Sequence, residues 1–322
     1  MVTAVSRRTA LAALALPFAG SLASCVGRDW NSFADTSVSV ATGNRGGVFV
    51  RYGDALIKTL NNRLDGVKVT SRLTDASLRN LRLVDAGTCE IGFSLGDAAS
   101  DAVRGVENFS QPLDLVALAR LYDSFLQLVV LDDSPVQRLS DLRGLRVGVG
   151  AVGSGTRVLA TRVLVAGGLR LEDIESRGGS LEDSTAALLD RSIDAFFFVS
   201  GLPSQAIATL GERRPIRLID LEEVLKPLVS DYGPEYVSGP IPTSTYDLGQ
   251  SVTTVSVKNY LVVRKDMSVR LAYAVTRVMF EAQDEIGRFA PNVRQPSVGA
   301  AIFTSPLALH RGALRYFREV GG

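Results

Sequence analysis

One stretch, Leu145–Arg170 (LRVGVGAVGSGTRVLATRVLVAGGLR), constrains the fold more than any other. It reads as an apolar strand over Leu145–Val149, a glycine-rich turn over Gly150–Gly155 and a helix from Thr156, whose apolar residues recur at helical spacing. A helix that begins directly after a glycine turn offers unpaired backbone N–H groups and the positive end of its dipole to an anion. The stretch therefore predicts an α/β fold with an anion site at this turn.

The glycine turn itself has several interpretations. Residues 148–153 form a literal G-x-G-x-x-G, and Glu172 and Asp173 follow at about the distance where a dinucleotide-binding fold holds its ribose. A phosphate-cradling P-loop is disfavoured, because no Lys-Ser or Lys-Thr pair follows the glycines. The remaining interpretation is a plain tight turn between a strand and a helix.

The N-terminus has the pattern of an export signal. Arg7 and Arg8 precede an uncharged apolar run from Ala10 to Ala19, and Cys25 follows the small residues LAS. This order is typical of a bacterial lipoprotein signal behind a twin-arginine export motif, the alternative being an ordinary thiol after a plain cleaved signal. We expect a lipid anchor on Cys25, which would hold the protein outside the cytoplasm, in the periplasm or at the outer face of the cytoplasmic membrane.

Charge and side-chain chemistry narrow the function classes. The chain carries 35 Lys and Arg against 34 Asp and Glu, so no excess of positive charge favours nucleic acid. A single histidine, His310, and two cysteines, Cys25 and Cys89, give little material for a metal site or a Cys–His pair. Ser154 lacks the G-x-S-x-G pattern of a nucleophile elbow. We expect a monomeric binding protein rather than an enzyme, without cofactor or metal, in which Cys89 is buried and His310 is structural.

Strands alternate with helices along the chain, which predicts parallel sheets covered by helices. The predicted strands are 37–42, 67–73, 91–95, 113–121, 125–131, 145–150 and 193–199. The predicted helices are 48–61, 75–86, 156–166, 181–189 and 267–289, with Pro203 in the first turn of a further helix and a structured loop over 237–246.

Two similar apolar runs, Phe125–Leu131 and Tyr260–Val263, suggest a pair of strands that each cross between two lobes. The three consecutive phenylalanines Phe196–Phe198 predict a strand buried on both faces, of which Phe198 alone is placed to face a cleft. The predicted organisation is a signal over 1–25, a tether over 26–36, lobe 1 over 37–130 plus 257–322 and lobe 2 over 131–256.

Six short segments recur in the order and spacing of a known family. They are ATGNRGG (41–47), SLRNLRLVDAG (77–87), GSGTR (153–157), IDAFFFVSGLP (193–203), IPTSTY (241–246) and ALHRGALRYFRE (308–319). They resemble the TAXI-type solute receptors, which are the extracytoplasmic substrate-binding subunits of one class of tripartite ATP-independent periplasmic (TRAP) transporters. The resemblance covers nearly the whole mature chain. It implies a type II periplasmic-binding-protein fold, two α/β lobes joined by two hinge strands, and a glutamate-like amino acid or organic acid that is delivered to a TRAP permease.

The residues and this resemblance together predict the ligand contacts, with the helix N-terminus after Gly153 and the side chain of Arg157 receiving the carboxylate. The chain departs from the family in its first glycine turn, where it lacks two tyrosines and carries Arg45 and Arg51, and after the third strand, where only Asp97 is kept. The predicted contacts are Thr42, Arg45, Gly46, Gly47, Phe49, Ser77, Asp97, Ser154, Gly155, Thr156, Arg157, Phe198, Gly201, Pro242 and Tyr246.

Two other functions share much of this pattern. A sensory lipoprotein that reports its ligand to a membrane kinase would share the whole chain and differ only in its partner. An exported enzyme that uses a bound dinucleotide would use the G-x-G-x-x-G turn directly.

Overall fold

The structure, a computed structural model, describes residue 1 and residues 30–291 and 293–321. Residues 2–29 lie outside the described residues, and they include the rest of the predicted signal with Cys25 and the first part of the predicted tether. Within the described residues, the chain from Asn31 onward builds one sheet of ten strands, with helices in the connections.

Strands and helices follow one another in the alternation that the sequence predicts. The strands are β1 Ser32–Ala41, β2 Asp65–Arg72, β3 Ile91–Leu95, β4 Leu115–Leu131, β5 Arg146–Gly148, β6 Glu175–Arg177, β7 Ala195–Ser200, β8 Ile216–Leu218, β9 Tyr236–Ile241 and β10 Val252–Arg264. The helices are α1 Val48–Arg63, α2 Ser77–Asp85, α3 Gly96–Arg104, α4 Gly155–Ala166, α5 Leu181–Leu189, α6 Gln205–Arg213, α7 Glu222–Tyr232, α8 Val269–Glu281, α9 Gln283–Phe289, α10 Val298–Ala301 and α11 Arg311–Gly321.

The sheet has two parallel groups joined by an antiparallel centre. Its order is β2-β1-β3-β10-β4-β7-β5-β6, with β8 paired to β4 and β9 paired to β10. Strands β1, β2 and β3 pair in parallel, as do β5, β6 and β7, whereas β10 and β4 are antiparallel to each other and to their neighbours. We call β1–β3 with α1–α3 the first half, and β5–β7 with α4–α7 the second half.

Strands β4 and β10 each run through both halves. Residues 115–125 of β4 pair with β10, and residues 125–129 pair with β7 of the second half. Residues 252–257 of β10 pair with β9, and residues 259–263 pair with β3 of the first half. At the crossing, the Asn259 side-chain amide donates to the Tyr122 carbonyl at 2.7 Å and to Ser124 Oγ at 2.9 Å. The buried Asn259 and Ser124 side chains of the crossing are therefore paired with each other.

Several predicted boundaries are wrong. The prediction of separate strands over 113–121 and 125–131 is replaced by the continuous β4, because Ser124 is paired at the crossing instead of ending the strand. Strand β1 begins at Ser32, within the predicted tether. The predicted helix over 267–289 divides into α8 and α9 at Ala282, and Pro203 precedes α6, whose N-cap is Ser204.

The predicted loop over 237–246 is also wrong in its first part, which is strand β9. Gly239 and Pro240 indicate a loop from sequence. Among the described strands β9 pairs with β10 alone, so Pro240 lies on an edge strand where a missing N–H is tolerated.

Burial on both faces of β7 is confirmed. Phe197 packs in one apolar cluster with Leu128, while Phe196 and Phe198 pack in another with Val129. Burial of each phenylalanine contributes roughly 1.5–3 kcal/mol to folding. The predictions for Cys89 and His310 are also confirmed, because Cys89 is buried with a free thiol and the buried His310 ring lies 3.0 Å from the Met267 carbonyl.

Candidate functional site

A cavity lies between the two halves, where strands end and helices begin. Its empty space, part of which is open to solvent, is about 400 Å³, and it is contacted by the first glycine turn, the ends of β3 and β7, and the starts of three helices. Its lining residues are Gly43, Asn44, Gly47, Val48, Phe49, Ala76, Ser77, Leu95, Gly155, Thr156, Phe198, Val199 and Ser200. Small-molecule sites in open α/β sheets lie at this edge, outside the carboxyl ends of the parallel strands.

Three helices, α1, α2 and α4, begin at the cavity wall. Their N-cap residues are Gly47, Ala76 and Ser154, and neither Gly47 nor Ala76 offers a side-chain cap. Ser154 Oγ accepts from the Arg157 N–H at 3.1 Å, so the Gly155 and Thr156 N–H groups are left for a ligand. Each helix start carries roughly half a positive charge. The arrangement is therefore suited to an anion.

None of the described residues that line the cavity has a charged side chain. Hydroxyl groups add directed donors instead. Ser77 Oγ accepts from the Leu95 N–H at 3.0 Å, and Thr156 Oγ1 accepts from the Val199 N–H at 3.3 Å. Each of these oxygens accepts from the backbone, so its own proton is placed to donate to a ligand.

The apolar part of the wall comes from Val48, Phe49, Leu95 and Phe198. The Phe49 ring packs against the Phe93 ring with centroids 5.4 Å apart and the ring planes tilted by 34°. This mixture of a few polar groups on an apolar wall is typical of small-molecule pockets.

The two halves touch at Gly155. A Cβ added there would lie 2.5 Å from Leu95 Cδ1 and 2.7 Å from Ser77 Oγ, which is closer than side-chain atoms approach. Any larger residue at this position must displace the Leu95 and Ser77 side chains or move the start of α4.

The sequence-predicted contacts are divided between several places. Those that line the cavity are Gly47, Phe49, Ser77, Gly155, Thr156 and Phe198. Ser154 and Arg157 line a separate pocket of about 710 Å³ with Glu107 and Arg162. Gly201 and Pro242 line a third, of about 1080 Å³, which shares Val48 with the cavity.

Other predicted contacts are engaged elsewhere in the fold. Thr42 is buried and donates to the Arg72 carbonyl at 3.2 Å, and Asp97 is buried in an ion-pair cluster. The Tyr246 hydroxyl donates to Gln127 at 2.6 Å and accepts from the Ser204 N–H at 2.7 Å. Burial raises the pKa of Tyr246 well above its usual range, so it remains neutral.

The turn before α1 holds the last two predicted contacts. Arg45 is exposed. Gly46 has a φ of 75°, and a side chain added to it would point at Ala206 of α6.

Sequence reasoning missed seven of the lining residues, which are Gly43, Asn44, Val48, Ala76, Leu95, Val199 and Ser200. Each lies next to a predicted strand end or helix start, so the rule that ligands bind at the carboxyl ends of parallel strands was the signal that could have found them.

Across 30–291 and 293–321 no group of three or more His, Cys, Asp and Glu side chains is arranged to hold a metal ion. In the same part of the chain no helix combines the length and the apolar character that crossing a membrane requires.

Comparison with known proteins gives a family match and a fold match. The model of the NMT1-like family matches residues 40–321. A binding protein component of an ABC phosphonate transporter from Pseudomonas aeruginosa is 13% identical, with 79% of this chain and 78% of that chain covered and a TM-score of 0.54. A protein from Bordetella bronchiseptica RB50 is 17% identical, with 88% of each chain covered and a TM-score of 0.51.

The periplasmic aliphatic sulphonate binding protein from Escherichia coli is 14% identical, with 88% of this chain and 83% of that chain covered and a TM-score of 0.45. The predicted type II periplasmic-binding-protein fold is confirmed.

Proposed function

This chain belongs to the NMT1-like family, and we propose that it is an extracytoplasmic solute receptor that binds a small carboxylate and delivers it to a membrane permease. The observation that carries the proposal is the meeting of three helix N-termini at one uncharged cavity. A ligand anion at this point would receive backbone donors from α1, α2 and α4.

The energetics favour an anion over a neutral ligand. A hydrogen bond to a charged group contributes about 1.5–3 kcal/mol, against roughly 0.5–1.5 kcal/mol for a neutral pair. Because the donors are backbone groups fixed by helices, little reorganisation is needed when the anion enters. The apolar wall of Phe49, Leu95 and Phe198 would contact the carbon skeleton of a short organic acid or of a glutamate-like amino acid.

Binding between two halves also supports a hinge. We propose that residues 37–130 plus 257–322 and residues 131–256 move as two lobes about β4 and β10, the strands that cross between them. A ligand that contacts both lobes stabilises the closed arrangement by its differential affinity for it.

The TRAP type of permease follows from the six segments that resemble TAXI receptors, and lipid anchoring follows from the sequence around Cys25. The binding protein from Pseudomonas aeruginosa that resembles this chain is a component of an ABC phosphonate transporter. A permease of that type is therefore the other partner to be tested by co-purification.

The decisive experiment has two steps on residues 30–322. Mass spectrometry after denaturation identifies any co-purified small molecule. Calorimetry then compares L-glutamate, 2-oxoglutarate and succinate with their amides, and with methylphosphonate and ethanesulfonate. We expect at least one carboxylic acid to bind and its amide to bind more than tenfold more weakly, because an amide has no charge to place at the helix starts. Equal affinity for acid and amide, or a co-purified nicotinamide, would contradict the proposal.

A further inference from the structure

A buried cluster around the guanidinium of Arg162 joins the two halves. Arg162 Nη2 donates to Asp101 Oδ2 at 2.6 Å, and Nη1 donates to the Tyr236 hydroxyl at 2.8 Å. That hydroxyl in turn donates to Asp97 Oδ2 at 3.1 Å. The side chains of Arg162, Asp97 and Asp101 are only 7%, 1% and 11% exposed.

The partners come from different parts of the fold. Asp97 and Asp101 lie on α3 of the first half, and Arg162 lies on α4 of the second half. Tyr236 begins β9, and the guanidinium carbon lies 4.7 Å from the centre of the Tyr232 ring at the end of α7. Separation of α3 from α4 would therefore break the ion pair and leave each partner to be solvated again.

The cluster lies on the same face of α4 as the cavity contact. Gly155 and Arg162 are seven residues apart, which is about two helical turns and roughly 10 Å along the axis. Val158, between them, packs with Leu78 and Ala98 of the first half. One face of α4 thus touches the cavity wall at its start and the carboxylates of α3 two turns later.

We propose that Arg162 is a positioning residue for ligand binding. Its guanidinium holds α4 against α3 through Asp101 and the Tyr236 hydroxyl, a set of contacts we call the latch, and so fixes the start of α4 at the cavity. This inference rests on the proposed function for its role in binding, while the latch itself is a property of the fold. The cluster holds two carboxylates for one guanidinium, and the negative charge of Glu107 adds repulsion at Asp101. Arg162 therefore contributes attraction that no other described residue of the cluster supplies.

An ion pair that lies wholly within the second half offers a comparison with the Arg162 cluster. Arg146 forms a two-pronged ion pair with Asp194, with Nη2–Oδ1 at 2.7 Å and Nε–Oδ2 at 3.0 Å. Both residues belong to the second half, next to β5 and β7, so loss of this pair does not release one half from the other.

The test measures the separation of the halves without any ligand. Spin labels are placed on cysteines introduced at the exposed residues Lys68 and Glu172, near opposite edges of the sheet, and distances are measured by pulsed electron paramagnetic resonance. The variants are Arg162→Lys, which keeps the charge but not the two-pronged contact, and Tyr236→Phe, which removes only the bridging hydroxyl. Arg146→Lys is the matched control.

We expect Arg162→Lys and Tyr236→Phe each to add a population at longer distance, and Arg146→Lys to reproduce the unaltered distribution. The dissociation constant for the tightest-binding acid of the panel should rise about 5- to 50-fold in the first two variants and less than twofold in the control. Distance distributions unchanged in both Arg162→Lys and Tyr236→Phe would overturn the latch, as would the same broadening in Arg146→Lys. Failure of every acid to bind would contradict the proposed function alone, because the distance measurement needs no ligand.

Discussion

Replacement of Gly155 by alanine tests the cavity most directly, because the added methyl group enters the contact between the halves. Its Cβ would lie 2.5 Å from Leu95 Cδ1 and 2.7 Å from Ser77 Oγ. Leu95 and Ser77 are buried from solvent, but both line the cavity, so the free space next to them is the cavity itself. Either the start of α4 shifts away from α2 and α3, or these two side chains move into the space that the ligand would occupy.

The expected loss follows from the cost of overpacking. One added methyl group in a packed contact costs about 1–3 kcal/mol. Because the ligand needs the start of α4 and the cavity wall in their present places, this cost applies when the ligand binds, and at about 1.4 kcal/mol per factor of ten it weakens the affinity about 5- to 140-fold. The N–H groups of Gly155 and Thr156 keep their chemistry in this variant. A loss of affinity would thus report their displacement from the ligand and not their removal.

The assay is calorimetry with the acid that binds the unaltered protein most tightly. Gly287→Ala is the matched control, because the same methyl group there meets no atom within 4 Å. Thermal unfolding of both variants without ligand checks that each remains folded. If Gly155→Ala unfolds cooperatively and binds within twofold of the unaltered protein, the cavity is not the ligand site.

Three further predictions concern stability and anchoring. Tyr246→Phe should lower the free energy of unfolding by about 2–4 kcal/mol in urea, because it leaves the buried Ser204 N–H and Gln127 carbonyl oxygen without partners; an unchanged midpoint would refute this. Burial raises the pKa of Asp101 to about 6 in the folded protein. The protonated carboxyl therefore adds to the free energy of unfolding below about pH 4, and this contribution is lost as the pH rises through 6. Relative to Asp101→Asn, the unaltered protein should therefore lose up to about 3 kcal/mol between pH 4 and pH 7, as measured by urea unfolding at each pH; parallel curves would refute it. Cys25→Ser should abolish fatty-acid labelling and release the protein from the membrane fraction, and continued labelling would show that the anchor lies elsewhere.

Local signals predicted the elements that depend on local chemistry. Strand β3 and helix α5 have their predicted bounds, because a short apolar run and a capped amphipathic segment carry their own limits. The Ser180–Asp183 capping box at the start of α5 is an example, since both of its hydrogen bonds form within four residues.

Long-range pairing is what the sequence did not reveal. The polar pair Asp123 and Ser124 interrupts an apolar pattern and so indicates a break, yet in the fold Ser124 meets Asn259 from a strand that lies far along the chain. The prediction that Arg157 contacts the ligand depended on the same kind of local information. Residue spacing places it at a helix start, but successive helical residues turn by about 100°, and its side chain lines a different pocket from Gly155 and Thr156.

The path of β10 has a consequence for the order of events during synthesis. Strand β3, complete at Leu95, has β1 on one side, and its other neighbour is β10, which ends at Arg264. The first half therefore cannot complete its sheet until most of the chain has left the ribosome, and contacts of such long sequence separation form slowly. A chain of this topology suits an export route that accepts folded proteins, the kind that the arginine pair at Arg7 and Arg8 predicts, because assembly can then finish in the cytoplasm before transport begins.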